Sequence, residues 1–130
     1  MHTAPYFTAF GLLAIFLSLR VVALRRKHLV SLGSGEIEML ERRMRVFGNF
    51  TEYVPLGLIL LIALEFVQTP VWYMHLSGIF LLTGRCLHAA GLGELKDRGL
   101  SKRKNGMILT LLSLLLSSVG VTVFTILARI

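Results

Sequence analysis

Residues 41–66 read ERRMRVFGNFTEYVPLGLILLIALEF. The later part of this run is apolar and long enough to cross the roughly 30 Å hydrocarbon core of a bilayer, which takes about 20 helical residues. The earlier part carries polar side chains at helical spacing, within a fan of about 80° around the helix axis. They are Arg42, Arg45, Asn49 and Glu52. We therefore predict a transmembrane helix with a polar stripe along one side that enters the bilayer.

The composition extends this prediction to the whole chain. Of its 130 residues, 55% are hydrophobic, and the mean hydropathy is +0.73. A soluble domain of this size could not bury so much apolar surface. Four apolar runs reach spanning length: residues 5–24, 46–67, 71–87 and 106–127. The predicted fold is an all-α integral membrane bundle of four transmembrane helices, in a single domain of residues 1–130.

The first run differs from a cleaved signal peptide. Residues 1–5 contain no Lys or Arg, and the apolar stretch is longer than a signal-peptide core. We expect it to remain as the first transmembrane helix.

The basic residues predict the orientation. The net charge is +7, and most Lys and Arg lie in two connections, residues 25–28 (RRKH) and residues 96–104 (KDRGLSKRK). The connection at residues 68–70 (QTP) is uncharged. By the positive-inside rule both basic connections face the cytoplasm and both termini the other side. This topology accounts for the positive charge, so we expect no nucleic-acid partner.

Two helix starts carry local signals. Ser34 or Gly35 is placed to be the N-cap of the second helix, which then begins near Glu36. Thr69 and Pro70 form an expected pair of N-cap and first helical residue for the third helix.

The polar stripe on the second helix has two interpretations. Its apolar neighbours lie on the other side of the helix, so we predict that the stripe faces inward and the apolar side faces lipid or adjacent helices. In the first interpretation, Glu52 forms a buried ion pair with Arg45 or Arg85 that fixes helix packing. In the second, favoured because the donors and acceptors outnumber one pair, the stripe lines a polar pocket at the cytoplasmic end.

Further polar residues at this level support a pocket. Arg85 and His88 share one helix face at a spacing of three. Arginines there suit a small anionic ligand, because a guanidinium binds carboxylates in bidentate fashion. The four histidines lie at different depths in the sequence pattern, so a metal site is not expected. Cys86 is interpreted as a small core residue.

Three motifs resemble one family. The helix-two string RVFGNFTEYVPL, residues 45–56, resembles the R-x-x-x-N-x-x-E-[FY]-x-P motif of the membrane-associated proteins in eicosanoid and glutathione metabolism, the MAPEG superfamily. GRCLH at residues 84–88 resembles its helix-three motif, and RKNGMILT at residues 103–110 resembles the entry into helix four of bacterial members. The similarity spans nearly the whole chain.

The resemblance implies a homotrimer of four-helix subunits that binds glutathione between adjacent subunits near the cytoplasmic face. Arg103 would stabilise the glutathione thiolate. Leu92 stands where family enzymes usually have a Tyr that contacts the ligand. The glutathione-binding residues implied here are Arg42, Arg45, Asn49, Glu52, Tyr53, Arg85, His88, and Arg25 or Arg26 from the end of helix one.

The expected function is that of a glutathione transferase or peroxidase acting on hydrophobic electrophiles or lipid hydroperoxides, without a metal. One alternative is a non-enzymatic membrane trimer that binds an anionic lipid, a metabolite or a protein partner. A transporter or channel is disfavoured, because the stripe lies at one membrane depth. The expected location is the bacterial inner membrane, with several spans and the site facing the cytoplasm.

Overall fold

A computed structural model describes residues 1–93 and 99–129. Its elements, in chain order, are four helices: α1 (Ala4–His28), α2 (Glu38–Phe66), α3 (Val71–Leu92) and α4 (Leu100–Leu127). The described residues contain no strand. The predicted all-α four-helix architecture is confirmed.

Three of these helices, α1, α2 and α4, are long and apolar enough to cross a membrane. Helix α3 has 22 residues, which corresponds to about 33 Å at 1.5 Å per residue and is also a spanning length. It carries Ser77, Arg85 and His88, and all three side chains are buried within the bundle. Polar groups in a membrane helix are tolerated where they face protein.

Helices α3 and α4 pack with their backbones almost in contact. A Cβ atom added to Gly106 would lie 2.5 Å from the backbone nitrogen of His88 and 2.6 Å from the carbonyl oxygen of Gly84. Further along the pair, the Ser77 hydroxyl donates to the Ser113 carbonyl at 3.1 Å, and the Ser113 hydroxyl donates back to the Ser77 carbonyl at 2.8 Å. Small residues and interhelical hydrogen bonds of this kind hold membrane helices together.

The predicted start of α2 was wrong by two or three residues. Gly35 and Glu36 have φ values of 56° and 59°, in the left-handed region, so neither can belong to a right-handed helix. The N-cap is Ile37, without a side-chain cap. Ser34 contributes through its carbonyl oxygen, which accepts a hydrogen bond from the Ile37 N–H at 3.0 Å.

The predicted N-cap of α3 was also wrong. Helix α3 begins at Val71 with Pro70 as its N-cap, and no side chain caps it. The Thr69 hydroxyl instead donates to the Leu64 carbonyl at 3.0 Å. It therefore satisfies a carbonyl of the last turn of α2, where the outgoing helix leaves acceptors unpaired.

Two contacts show which helix ends lie together at one end of the bundle. The Tyr6 hydroxyl lies 2.9 Å from His75 Nδ1, and the Tyr73 and Phe124 rings are 5.5 Å apart. The beginning of α1, the beginning of α3 and the end of α4 therefore meet at one end, called here the N-terminal end. The opposite end, called the basic end, carries residues 25–37 and the beginning of α4.

Candidate functional site

A polar groove lies at the basic end of the bundle. Its volume is about 340 Å³, within the range of roughly 300–1,000 Å³ that is usual for small-molecule pockets. Three helices contribute to its lining: α2, the end of α3 and the beginning of α4. The lining residues are Arg45, Asn49, His88, Leu92, Arg103 and Met107.

Four of these six residues were predicted from sequence as site residues. The fold brings Arg45 and Asn49 of α2 together with His88 of α3 and Arg103 of α4. Leu92, the position of the usual family Tyr, also lines the groove. Met107 was missed, and the only signal for it was its position four residues after Arg103, which places both on one helix face.

Arg85 lies behind the groove. Its side chain is buried, with 2% exposed. Its Nη1 donates to Asn49 Oδ1 at 2.8 Å, its Nε donates to Thr110 Oγ1 at 2.9 Å, and its Cζ lies 5.0 Å from the centre of the Tyr53 ring. Arg85 and Tyr53 therefore support the groove wall through Asn49 and do not line the groove within one subunit. Thr110 was missed, because no local pattern pairs it with Arg85.

His88 is the most enclosed titratable group of the groove. Its side chain is 4% exposed and lines the cavity. Within residues 1–93 and 99–129 it has no hydrogen-bond partner. A buried imidazole without a partner leaves both ring nitrogens available to a ligand.

The prediction that the whole polar stripe faces inward was wrong for the single subunit. Arg45 and Glu52 are exposed, and Asn49 is half-buried. The apolar side of α2 packs into the bundle core instead, with Val46, Phe50 and Val54 among its buried residues. Within one chain α2 has a single face against its neighbours, and the apolar side occupies it, which turns Arg45 and Glu52 outward.

The buried ion-pair interpretation is not supported by the subunit. Among the described residues Glu52 forms no ion pair with Arg45 or Arg85. Arg85 satisfies two of its donors with the neutral groups of Asn49 and Thr110. The polar residues of α2 and α3 therefore form a groove wall and not a buried ion pair that fixes helix packing.

The remaining predicted site residues do not line the groove in the single subunit. Arg42 donates from Nε to Glu38 Oε1 at 2.9 Å, on the first turns of α2. Arg25 donates from Nη1 to the Ser31 carbonyl at 3.1 Å, so it holds the connection between α1 and α2, whereas Arg26 is exposed. The predicted basic residues Lys96 and Arg98 lie outside the described residues.

A second, mostly apolar cavity of about 530 Å³ adjoins the groove. It shares three lining residues with the groove: His88, Arg103 and Met107. Its other lining residues are Leu100, Lys104 and Ile108. Arg103 therefore borders both a polar compartment and an apolar one.

Two other expectations change. His2 and His75 were placed at different depths, but their rings lie 6.3 Å apart at the N-terminal end. The described residues nevertheless contain no group of three or more His, Cys, Asp or Glu able to hold a metal ion. Cys86 was interpreted as a core residue, but it is exposed on the outside of the subunit.

Four helices, spanning lengths and a polar groove at one end define a multi-pass α-helical membrane protein. The sequence model of the family described as the MAPEG family matches residues 3–123. The inner membrane protein YecN of Escherichia coli strain K12 is 34% identical over 116 residues, which cover 89% of this chain and 86% of the relative. YecN of Escherichia coli O6:H1 matches with the same identity and coverage.

The chain belongs to the MAPEG family. The predicted resemblance is confirmed by the match of the family model over nearly the whole chain. The predicted location is confirmed as well: this is a multi-pass inner membrane protein, in keeping with the location of its Escherichia coli relative and with its three apolar spans.

Proposed function

We propose that the groove binds glutathione and that the protein is a glutathione transferase or peroxidase for hydrophobic substrates. One observation carries the proposal: Arg45, Asn49, His88 and Arg103, which are distant in sequence, meet around a single cavity of about 340 Å³. Glutathione is a small tripeptide with two carboxylates, one ammonium group and one thiol. The groove offers it two guanidiniums, one carboxamide and one buried imidazole.

The charges of the groove suit such a ligand. Arg45 and Arg103 each present a guanidinium, which binds a carboxylate with two parallel, charge-assisted hydrogen bonds. Asn49 adds a neutral polar group to the same lining. No acidic side chain lines the groove among the described residues, so the anionic ends of the tripeptide meet no like charge there.

The outward-facing part of the stripe supports a homotrimer. Arg45 and Glu52 are exposed on α2 in the single subunit, at a level where contact with lipid is unfavourable for charged groups. An adjacent copy that covers this face would bury them against protein. Glu52, which lies three residues after Asn49 on α2, would then accept a hydrogen bond from the glutathione ammonium.

In this proposal Arg103 stabilises the glutathione thiolate. A thiol with a pKa of about 8.5 is only about 3% ionised at pH 7. A nearby guanidinium favours the anion. Lowering the thiol pKa by about two units makes roughly three quarters of it thiolate, which corresponds to about 2.7 kcal/mol.

The apolar cavity beside Arg103 provides the place for the second substrate. A sulfur atom near Arg103 in the polar groove borders the apolar space lined by Leu100 and Ile108. In a transferase reaction the thiolate forms a carbon–sulfur bond with an electrophile there and displaces its leaving group. In a peroxidase reaction it attacks the terminal oxygen of a hydroperoxide and releases the alcohol, and a second glutathione converts the sulfenic acid to glutathione disulfide and water.

The test is glutathione-dependent turnover by the purified protein in detergent. We expect conjugation of a lipophilic aryl halide, or reduction of a lipid hydroperoxide with one glutathione disulfide formed per alcohol. Because the cavity is apolar, a water-soluble analogue should react at least about tenfold more slowly at equal concentration. Asn49→Ala tests whether the turnover depends on the groove: it removes one groove contact and should lower kcat/KM about tenfold. Equal rates with and without protein would contradict the proposal.

One observation favours the non-enzymatic alternative. Leu92 lines the groove at the position where the related enzymes usually have Tyr, so one hydroxyl contact to the ligand is absent. In that case the trimer would bind an anionic lipid, a metabolite or a protein partner. Saturable binding of an anionic phospholipid, combined with no turnover of any glutathione substrate, would favour this alternative.

A further inference from the structure

A chain of hydrogen bonds crosses three helices behind the groove. Thr110 of α4 donates from Oγ1 to the Gly106 carbonyl at 2.9 Å. The same oxygen accepts from Nε of Arg85 on α3 at 2.9 Å, and Nη1 of Arg85 donates to Oδ1 of Asn49 on α2 at 2.8 Å. The Thr110 side chain is fully buried and that of Arg85 is 2% exposed, so water does not compete for these bonds.

The direction of each hydrogen bond is fixed by chemistry. A guanidinium can only donate, so the Asn49 atom that faces Arg85 has to be its carbonyl oxygen. The Thr110 hydroxyl has a single hydrogen, which the Gly106 carbonyl takes, and its lone pairs remain for Arg85. The Asn49 NH₂ group is therefore turned away from Arg85.

Asn49 also lines the polar groove. With its carbonyl oxygen held by Arg85, it presents donors and no acceptor to a bound molecule. We infer that Arg85 and Thr110 are positioning residues, which hold the Asn49 carboxamide as a donor and so select a ligand with a carboxylate or carbonyl oxygen at this point. This inference rests on the proposed function, because it takes glutathione as the ligand.

Thr110 fixes the orientation in which the Arg85 guanidinium meets the Asn49 side chain, since Nη1 itself lies between Asn49 Oδ1 at 2.8 Å and the Asn49 backbone carbonyl at 3.4 Å. Nη2 of Arg85 is buried and makes no hydrogen bond with the described residues, and its Cζ lies over the Tyr53 ring, 5.0 Å from the ring centre. A buried donor without a partner is unfavourable. If Thr110 loses its hydroxyl, Nε becomes a second such donor, and we expect the guanidinium to rotate and release Asn49.

The test compares Thr110→Val, which keeps the shape and removes the oxygen, with Thr110→Ser, which keeps the oxygen. We expect Thr110→Val to raise the glutathione Kd and KM about tenfold, the effect of losing one hydrogen bond to a charged ligand group, while kcat changes by less than about threefold. Thr110→Ser should restore most of the affinity.

The outcomes separate the two proposals. If the wild-type protein binds glutathione and Thr110→Val binds it equally well, the positioning inference is overturned and the proposed function stands. If kcat and thermal stability fall and KM rises to the same extent in both variants, the role of Thr110 is only structural and the inference is again overturned. If the wild-type protein binds no glutathione, both proposals are overturned.

Discussion

Replacement of Arg103 by Ala should abolish the ultraviolet thiolate absorbance of bound glutathione and lower kcat about 25-fold at pH 7. The reason is the ionisation of the thiol: without the guanidinium its pKa returns to about 8.5, and the thiolate fraction falls from roughly three quarters to about 3%. Arg103 is the cationic residue of α4 that borders both the polar groove and the apolar cavity. The measurement is a difference spectrum at saturating glutathione, followed by turnover of the same samples.

Two variants provide the controls. Arg129→Ala removes the same charge from an exposed position at the N-terminal end and should behave as wild type in both measurements. Arg103→Lys keeps the charge but not the planar guanidinium, and should retain part of the thiolate signal. Wild-type turnover in Arg103→Ala would show that another group activates the thiol.

Replacement of Gly106 by Ala should destabilise the folded protein by at least about 3 kcal/mol, at or above the usual range for overpacking. The added Cβ would lie 2.5 Å from the His88 nitrogen and 2.6 Å from the Gly84 carbonyl oxygen. Both contacts are with backbone, so a side-chain rotation cannot relieve them and α3 has to move away from α4. The measurement is unfolding of the purified protein in mixed micelles.

The matched control is Gly11→Ala in α1, where an added Cβ meets no atom of the described residues within 4 Å. In a helix interior Ala is favoured over Gly by up to about 1 kcal/mol, so this variant should be as stable as wild type or slightly more stable. The displacement of α3 in Gly106→Ala should also weaken glutathione binding, because His88 lies at that contact. Equal stability of the two variants would contradict the close packing of α3 on α4.

The four helices could be predicted from sequence because apolar runs of about 20 residues between polar connections are typical of membrane-spanning helices and rare in soluble folds. Asn49 and His88 were predicted as site residues because polar groups at helical spacing near membrane depth are unusual, whereas Arg103 was predicted only from the resemblance of residues 103–110 to the family's entry into helix four. That they share one groove could not be derived from spacing alone, since they lie on three helices. Their convergence depends on how α2, α3 and α4 pack.

There is a physical reason why the sequence could not predict whether the polar stripe faces inward or outward. In a soluble protein the apolar side of a helix faces the core, but in a membrane lipid and core are both apolar. Valines and phenylalanines such as Val46 and Phe50 suit either environment, so the pattern gives the two faces of α2 without saying which is outside. The same limit applies to Thr110, whose partner Arg85 is 25 residues away in sequence.

Local sequence signals gave wrong helix bounds where two helix ends lie close to the same side-chain hydroxyl. Thr69 and Pro70 match the preferences of a helix start, but the Thr69 hydroxyl bonds to Leu64 in the preceding helix. The end of α2 and the start of α3 both lie within a few residues of this hydroxyl, and the sequence does not distinguish them. Such ambiguity shifts helix bounds by a few residues and leaves the site unchanged.

Titration calorimetry of the purified protein with glutathione tests the central claim most directly. The wild-type protein should show saturable binding, and Arg45→Ala, which removes a guanidinium of the groove, should weaken it by at least about tenfold. Arg129→Ala should bind as wild type does. No saturable heat up to millimolar glutathione, or equal affinity of the wild-type and Arg45→Ala proteins, would contradict the assignment of the groove as a glutathione site.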